Sequence, residues 1–365
     1  MKVIQVIPQF GLAGAEIMCE NLIYSLKELG NDVIVVSLYD YHSAITERLE
    51  KSGFSIKYLD KKKGFDVSII PKLYHLFKEE KADVIHTHLY VLKYTVPAAI
   101  LSGIKCQVHT VHNIAEKEVR PKEQKVNSIF YKYCHVIPVA LSSKIKTSIL
   151  NVYPLSSENV PVVFNGIDLR KCYIKTDYKL KEDIFKILHI GRFSEQKNHL
   201  GLIKGFYLFH KQYPESQLLL IGDGELLPEV KLLVAEYKLE DSIIFLGLKD
   251  NVYQYLHETD VFILPSKYEG MPMTLIEAMG TGLPIIASNV GGIPDLLENN
   301  KSALLISCNE NEICDALIKF RNNEQLRCEY GLYALKKSKK FSSQKMAEKY
   351  LRIYKKVINK KEKQS

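Results

Sequence analysis

No run of eighteen or more apolar residues occurs in the 365-residue sequence, so no transmembrane helix is expected. Its first residues, MKVIQVIPQF, read directly as a strand, without the charged start, long apolar stretch and small-residue cleavage site of an export signal. The seven cysteines are odd in number and form no C-x-x-C pair, which argues against a paired-cysteine metal or redox motif and fits reduced thiols in a cytosolic protein. Internal repeats are also missing, and the one low-complexity segment is a lysine-rich tail. What is left is an aliphatic-rich chain with 25% charged residues, long enough for two α/β domains that each bury a core.

The net charge of +8 is unevenly spread. From Lys336 to Ser365 there are twelve Lys or Arg against Glu348 and Glu362, so the rest of the chain is slightly acidic. This basic end reads either as a solvated helix face or as a contact with anionic lipid headgroups, each cation near a charged leaflet contributing about 1 kcal/mol. No recognition motif accompanies the charge, and no nucleic-acid partner is expected. A second basic stretch, Ala115 to Leu150, has seven Lys or Arg against three Glu, interleaved with Ile129, Phe130, Tyr131 and Tyr133. It reads as an ordinary amphipathic helix or as a surface that docks at a membrane lipid.

Apolar strand runs alternate with amphipathic stretches from end to end, the pattern of parallel sheets covered by helices. KVIQVIP, DVIVVSL, SIKYLD, ADVIHTH, CQVHTVH and HVIPVAL are the strands of the first half; FKILHIGR, QLLLIGD, SIIFLG, VFILPS, LPIIASN and ALLIS those of the second. Between them KCYIKTDYKLKED has no sustained period and is expected to be the interdomain linker. Two doubly wound sheets in tandem predict a cleft facing the carboxyl ends of the strands, where ligands bind.

The most informative segment is EGMPMTLIEAMGTGLPIIASNVGGIP, residues 269–294, in which Glu269 and Glu277 stand eight positions apart. A strand precedes it and another closes it, so Glu269 and Gly270 fall in a loop and Glu277 on the helix that follows. The amides of Met273, Thr274 and Leu275 are then unpaired donors in the first turn, at the positive end of the helix dipole, suited to a diphosphate. Two carboxylates around such a pocket suit a sugar nucleotide. Arg192 and Lys197 follow the strand KILHIG and read either as two surface cations on a loop or as a donor fork and a mobile point charge for a diphosphate. No D-x-D motif occurs anywhere, so no metal and no cofactor are expected, with these cations and the helix end in the metal's place. His86 and His88 share a strand face and read as lining or packing, not as a metal site.

The E-x7-E pattern, GRFSEQKN at 191–198, GDGE at 222–225, VGGIPD at 290–295, GLAGAE at 11–16, HTVHN at 109–113 and VFNGID at 163–168 together resemble the retaining family 4 glycosyltransferases, and the resemblance spans nearly the whole chain. One departure is Ala13, where the family often has a second glycine before Gly14. The resemblance implies the GT-B fold, two Rossmann-like domains whose parallel sheets face a central cleft. It implies an acceptor-binding domain over 1–170, a nucleotide-sugar-binding domain over 171–344, and a terminal helix over 345–360 packing back on the first. By motif, His112 and Glu269 meet the donor sugar near the reacting carbon. Gly14, Arg192, Lys197, Gly270, Met271, Thr274, Leu275 and Glu277 bind the donor, Glu277 through its ribose.

The implied function is transfer of a sugar from a nucleotide-sugar donor, UDP-linked, to a hydroxyl of a growing, lipid-linked surface polysaccharide, by an enzyme in the cytoplasm or at the inner face of the membrane. A sugar-nucleotide epimerase of similar architecture and a non-catalytic sugar-nucleotide-binding protein are the alternatives at this stage.

Overall fold

The computed structural model describes residues 1–180 and 184–362. They form two compact units, Met1–Ile167 with the segment from Ser342 onward, and Asp168–Phe341. Each unit is built on one six-stranded sheet, parallel at every pairing. The first holds β1 (Lys2–Ile7), β2 (Asp32–Ser37), β3 (Ile56–Tyr58), β4 (Val84–His88), β5 (Cys106–Val111) and β6 (Ile137–Ala140). The second holds β7 (Phe185–Ile190), β8 (Ser216–Ile221), β9 (Ile243–Gly247), β10 (Val261–Leu264), β11 (Ile285–Ser288) and β12 (Leu304–Ile306). All twelve correspond to segments read as strands from their apolar runs. Central strands covered by helices are buried on both faces, which is why KVIQVI and DVIVVS show no alternation, and the polar residues of VIHTH and CQVHTV are buried with them.

The sheet orders are β3-β2-β1-β4-β5-β6 and β12-β11-β10-β7-β8-β9. Counted from its own first strand, the second sheet has the same order as the first, that of a dinucleotide-binding fold. In each, the order reverses between the first and fourth strands: β1 beside β4, and β7 beside β10. Loops leaving the carboxyl ends at such a reversal turn to opposite faces of the sheet and leave a crevice. The cores follow: Ile4, Val36, Phe77 and Tyr94 in the first unit, Phe185, Phe206, Leu218 and Phe320 in the second. Each such side chain contributes roughly 1.5–3 kcal/mol on burial.

The final helix, Ser343–Glu362, belongs to the first unit and lies on the helix Gly14–Glu28 and on β5. Met346, Ala347, Tyr350 and Tyr354 are buried, while Lys345, Lys349, Arg352, Lys355, Lys356 and Lys360 are exposed.

The stretch 171–183, expected to be a linker, is no free tether over its described part, and Lys181–Asp183 lie outside the described residues. Its polar side chains satisfy backbone carbonyls of the second unit. The Lys175 ammonium donates to Thr259 O at 2.8 Å, the Tyr178 hydroxyl to Gly282 O at 2.8 Å, and Arg327 holds Tyr178 O at 2.8 Å. Polarity without period here marks a strap fastened by side chain to main chain, a pattern that periodicity cannot distinguish from a solvated loop.

Candidate active site

In the second unit the loops after β7 and β10 are joined at the strand-order reversal. Lys197 ends a short 3-10 turn, Glu195–Lys197, and its ammonium lies 2.7 Å from Glu269 Oε1, with side-chain exposures of 16% and 5%. Gln196 Nε2 donates to Tyr268 O at 3.0 Å, and Lys267 N to Gln196 O at 2.8 Å. The glycine-rich motifs are the seams of this arrangement. Gly222 has φ of 143°, and a Cβ there would collide with the Gly191 carbonyl oxygen. Gly291 has φ of 56°, and its Cβ would overlap the Glu269 carbonyl. The adjacent Gly292 N–H donates to Gly270 O at 3.0 Å. Only glycine permits such backbone-on-backbone contact.

The helix Met273–Thr281 starts from this seam with Pro272 as its N-cap and no side-chain cap. Among the described residues nothing accepts from the amides of Met273, Thr274 and Leu275, and the Thr274 Oγ1 is buried without a partner. One turn on, the Glu277 side chain is buried with no hydrogen bond to its carboxylate among the described residues. Burial pushes its carboxyl up to about 7, against a partial pull from Lys171. Ionisable groups held away from their ordinary values in a crevice mark a functional site. Gly270 and Met271 are buried at the loop's inner side. Arg192 instead lies at the surface, 3.1 Å from Glu225 of the GDGE motif with 73% of its side chain exposed, a pair that contributes little to stability.

In the first unit, Gly14 opens the helix Gly14–Glu28 after the uncapped Ala13 and is not in the left-handed region. Neighbouring Glu16 has a buried carboxylate oxygen without a hydrogen-bond partner among the described residues, and burial raises its pKa. His112 follows β5. Its Nε2 is 3.0 Å from His88 Nδ1, and its backbone N–H donates to Glu118 Oε1 at 3.1 Å. Burial pushes the His112 ring down to about 3 and the Glu118 carboxyl up to about 7. His88 in turn meets Gln5 Oε1 at 2.9 Å, and His86 bonds Thr110 and Tyr354.

The expected donor residues Lys197, Glu269, Gly270, Met271, Thr274, Leu275 and Glu277 are therefore gathered at one edge of the second sheet. Gly14 and His112 belong to the first unit. Four neighbours of these residues carried no readable signal. Glu118 sits in the run EKE, which looks like a solvated face, and Gln5 lies inside an apolar strand. Glu16 reads as a first-turn helix acid, and Tyr354 as one aromatic in a lysine-rich helix. His86 and His88 were legible as a pair on one face, not as partners of anything. No group of three or more His, Cys, Asp or Glu able to hold a metal occurs among the described residues. None of the described helices is long and apolar enough to cross a membrane.

Two family models match the chain in tandem, Glycosyltransferase Family 4 over residues 12–171 and Glycosyl transferases group 1 over 173–337. The chain is 31% identical over 278 residues, 72% of either protein, to the UDP-Gal:alpha-D-GlcNAc-diphosphoundecaprenol alpha-1,3-galactosyltransferase of Escherichia coli. It is 25% identical over 312 residues, 80% of either protein, to N-acetyl-alpha-D-glucosaminyl L-malate synthase of Bacillus anthracis. The crystal structure of Anabaena Alr3699/HepE in complex with UDP and glucose superposes on 97% of this chain and 99% of its own with a TM-score of 0.84 at 18% identity, a likeness of fold. Transfer thereby displaces the epimerase and the non-catalytic binder as readings of the site. With its two same-order parallel sheets and the E-x7-E loop at the edge of the second, the chain belongs to glycosyltransferase family 4 and is a glycosyltransferase of the GT-B fold.

Proposed function

We propose that the protein transfers a sugar from a UDP-linked donor to a hydroxyl of a growing, lipid-linked surface polysaccharide, with retention at the anomeric carbon and without a metal. The observation that carries the donor half is the buried Glu277 carboxyl, left without a hydrogen-bond partner among the described residues, beside an uncapped helix start. A ribose offers that carboxylate two hydroxyl donors, and a diphosphate offers the open amides of Met273, Thr274 and Leu275 an acceptor. Lys197 and Arg192 balance charge on the departing diphosphate. Glu269 and His112 hold hydroxyls of the transferred sugar, and Gly14 lets backbone approach the substrates. In the reaction the bond from the anomeric carbon to the diphosphate oxygen breaks, and the acceptor oxygen bonds to that carbon on the same face. The acceptor's proton passes to the departing diphosphate. The donor base is supported by the UDP-Gal of the Escherichia coli relative's name, and the lipid-linked acceptor by its diphosphoundecaprenol. On this reading the second unit binds the donor and the first the acceptor.

Nucleoside diphosphate release and thermal shift across UDP-, GDP- and ADP-sugars with EDTA present test the donor. Stabilisation and turnover with one UDP-sugar are expected. Activity that needs an added divalent ion, or no response to any of the sugars, overturns the metal-free donor site.

Peripheral attachment at the inner face of the membrane goes with a lipid-linked acceptor. It is supported by the helix Pro121–Tyr133, which exposes Val126, Ile129 and Tyr133 beside Lys122, Lys125 and Lys132, and by the cationic face of the final helix. Sedimentation with phosphatidylglycerol vesicles is expected to carry the protein down at low salt and release it at high salt. Equal partitioning to neutral vesicles argues against an electrostatic attachment.

A further inference from the structure

We propose that His88 and Gln5 are positioning residues that hold the His112 ring as its Nε2–H tautomer, so that Nδ1 is presented as a bare acceptor to a hydroxyl of the transferred sugar. This rests on the reading of His112 given above.

The geometry is a chain of three side chains from neighbouring strands: Gln5 on β1, His88 at the end of β4, and His112 just past β5. Gln5 and His88 are fully buried. His88 Nε2 lies 2.9 Å from Gln5 Oε1, and His88 Nδ1 lies 3.0 Å from His112 Nε2. An amide oxygen only accepts, so His88 Nε2 is the donor of the first bond. A neutral imidazole has one N–H, so His88 Nδ1 accepts, and the proton of the second bond sits on His112 Nε2. His112 Nδ1 then keeps its lone pair, and it makes no hydrogen bond to a described residue.

A further observation agrees with this order. Burial, and the neighbouring histidines, keep the His88 ring well below its ordinary value, so both rings are neutral. A second buried polar chain, Tyr354–His86–Thr110–Tyr350, runs alongside and packs the His86 ring 4.5 Å from that of His88.

A sugar hydroxyl that donates to Nδ1 becomes more acidic as the ring takes on oxocarbenium character, so the bond tightens in the transition state. The alternative tautomer would present an N–H there and reverse the polarity of the contact. Loss of the relay therefore falls on kcat more than on the donor KM.

The test combines kinetics with the nitrogen resonances of the His112 ring in protein labelled with 15N-histidine. In the unmodified protein, Nδ1 of His112 is expected to be pyridine-like and Nε2 pyrrole-like at neutral pH. His88→Leu and Gln5→Leu are expected to mix the two forms and to lower kcat about 10- to 100-fold, with donor KM little changed. His88→Asn, whose Oδ1 keeps an acceptor near the place of Nδ1, is expected to recover most of that loss. A proton on His112 Nδ1 in the unmodified protein overturns the proposal, and so does full turnover in a folded His88→Leu variant. If the leucine variants do not fold, the resonances of the unmodified protein and the asparagine variant still decide. His112→Ala separates the readings: unchanged transfer in that variant removes the role of His112 itself, whichever tautomer is found.

Discussion

Replacing Glu277 by glutamine is expected to weaken donor binding about 100-fold while making the protein more stable above neutral pH. The loss follows from two hydrogen bonds to a charged group at roughly 1.5–3 kcal/mol each, of which a neutral amide retains part. The gain follows from the carboxyl's own titration. Its folded value, about 7, lies above the 4.5 it has when unfolded, because burial disfavours the charged form. A raised acid binds its proton more tightly in the folded state, so the native protein is penalised only where the unfolded chain has already ionised. The penalty is absent below pH 4.5, grows as the pH rises to about 7 and is complete above it. Between pH 5 and pH 8 the variant should therefore gain roughly 2–3 kcal/mol of stability relative to the parent. Urea unfolding at the two pH values measures this. Donor affinity in the parent should fall as the pH drops through about 7, and the glutamine variant should lose that dependence. A stability difference that is flat with pH would mean that Glu277 is solvated or paired in solution, and the ribose assignment would lose its main support.

Lys197→Ala is expected to lower transfer by about 100- to 1,000-fold and stability by roughly 3–5 kcal/mol. The second number comes from what is left behind: Glu269, with 5% of its side chain exposed, would lose the ammonium 2.7 Å away and stay buried without its cation. If that is the origin of the cost, the double variant Lys197→Met with Glu269→Leu should recover most of the stability and none of the activity, because two apolar side chains of similar volume strand no charge. Transfer by Lys197→Ala near the parental rate would dismiss the diphosphate role. A double variant as unstable as the single one would locate the cost in packing.

The strands and their loops were legible in the sequence because a doubly wound sheet writes itself locally. Most strands are short apolar-rich runs without alternation, and the ligand loops of the second unit begin where the run stops, as at Gly191 after KILHI and at Pro265 after VFIL. The E-x7-E spacing was legible for the same reason, since a loop glutamate and one a helical turn past a proline must fall on the same strand-loop-helix unit. The described part of the stretch 171–183 was read as a linker because its order comes from Lys175, Tyr178 and Arg327 reaching distant carbonyls, which leave no period behind. Gln5, Glu118 and Tyr354 were passed over because each looks ordinary among its sequence neighbours.

By itself the sequence determined the two α/β halves and their twelve strands, which are set by composition and spacing within about thirty residues, the scale of one βαβ unit, while the order of its motifs along the chain carried the resemblance to the family. Only the tertiary structure decided that Lys197 is held by Glu269, that Glu277 is buried without a hydrogen-bond partner among the described residues, and that His112 stands at the end of a chain from Gln5 through His88. Those are contacts between residues 24 to 83 positions apart, on different strands and loops, or the absence of such contacts among the described residues. Whether a polar group meets a partner in a dry interior depends on which strands lie side by side, and no local pattern carries that.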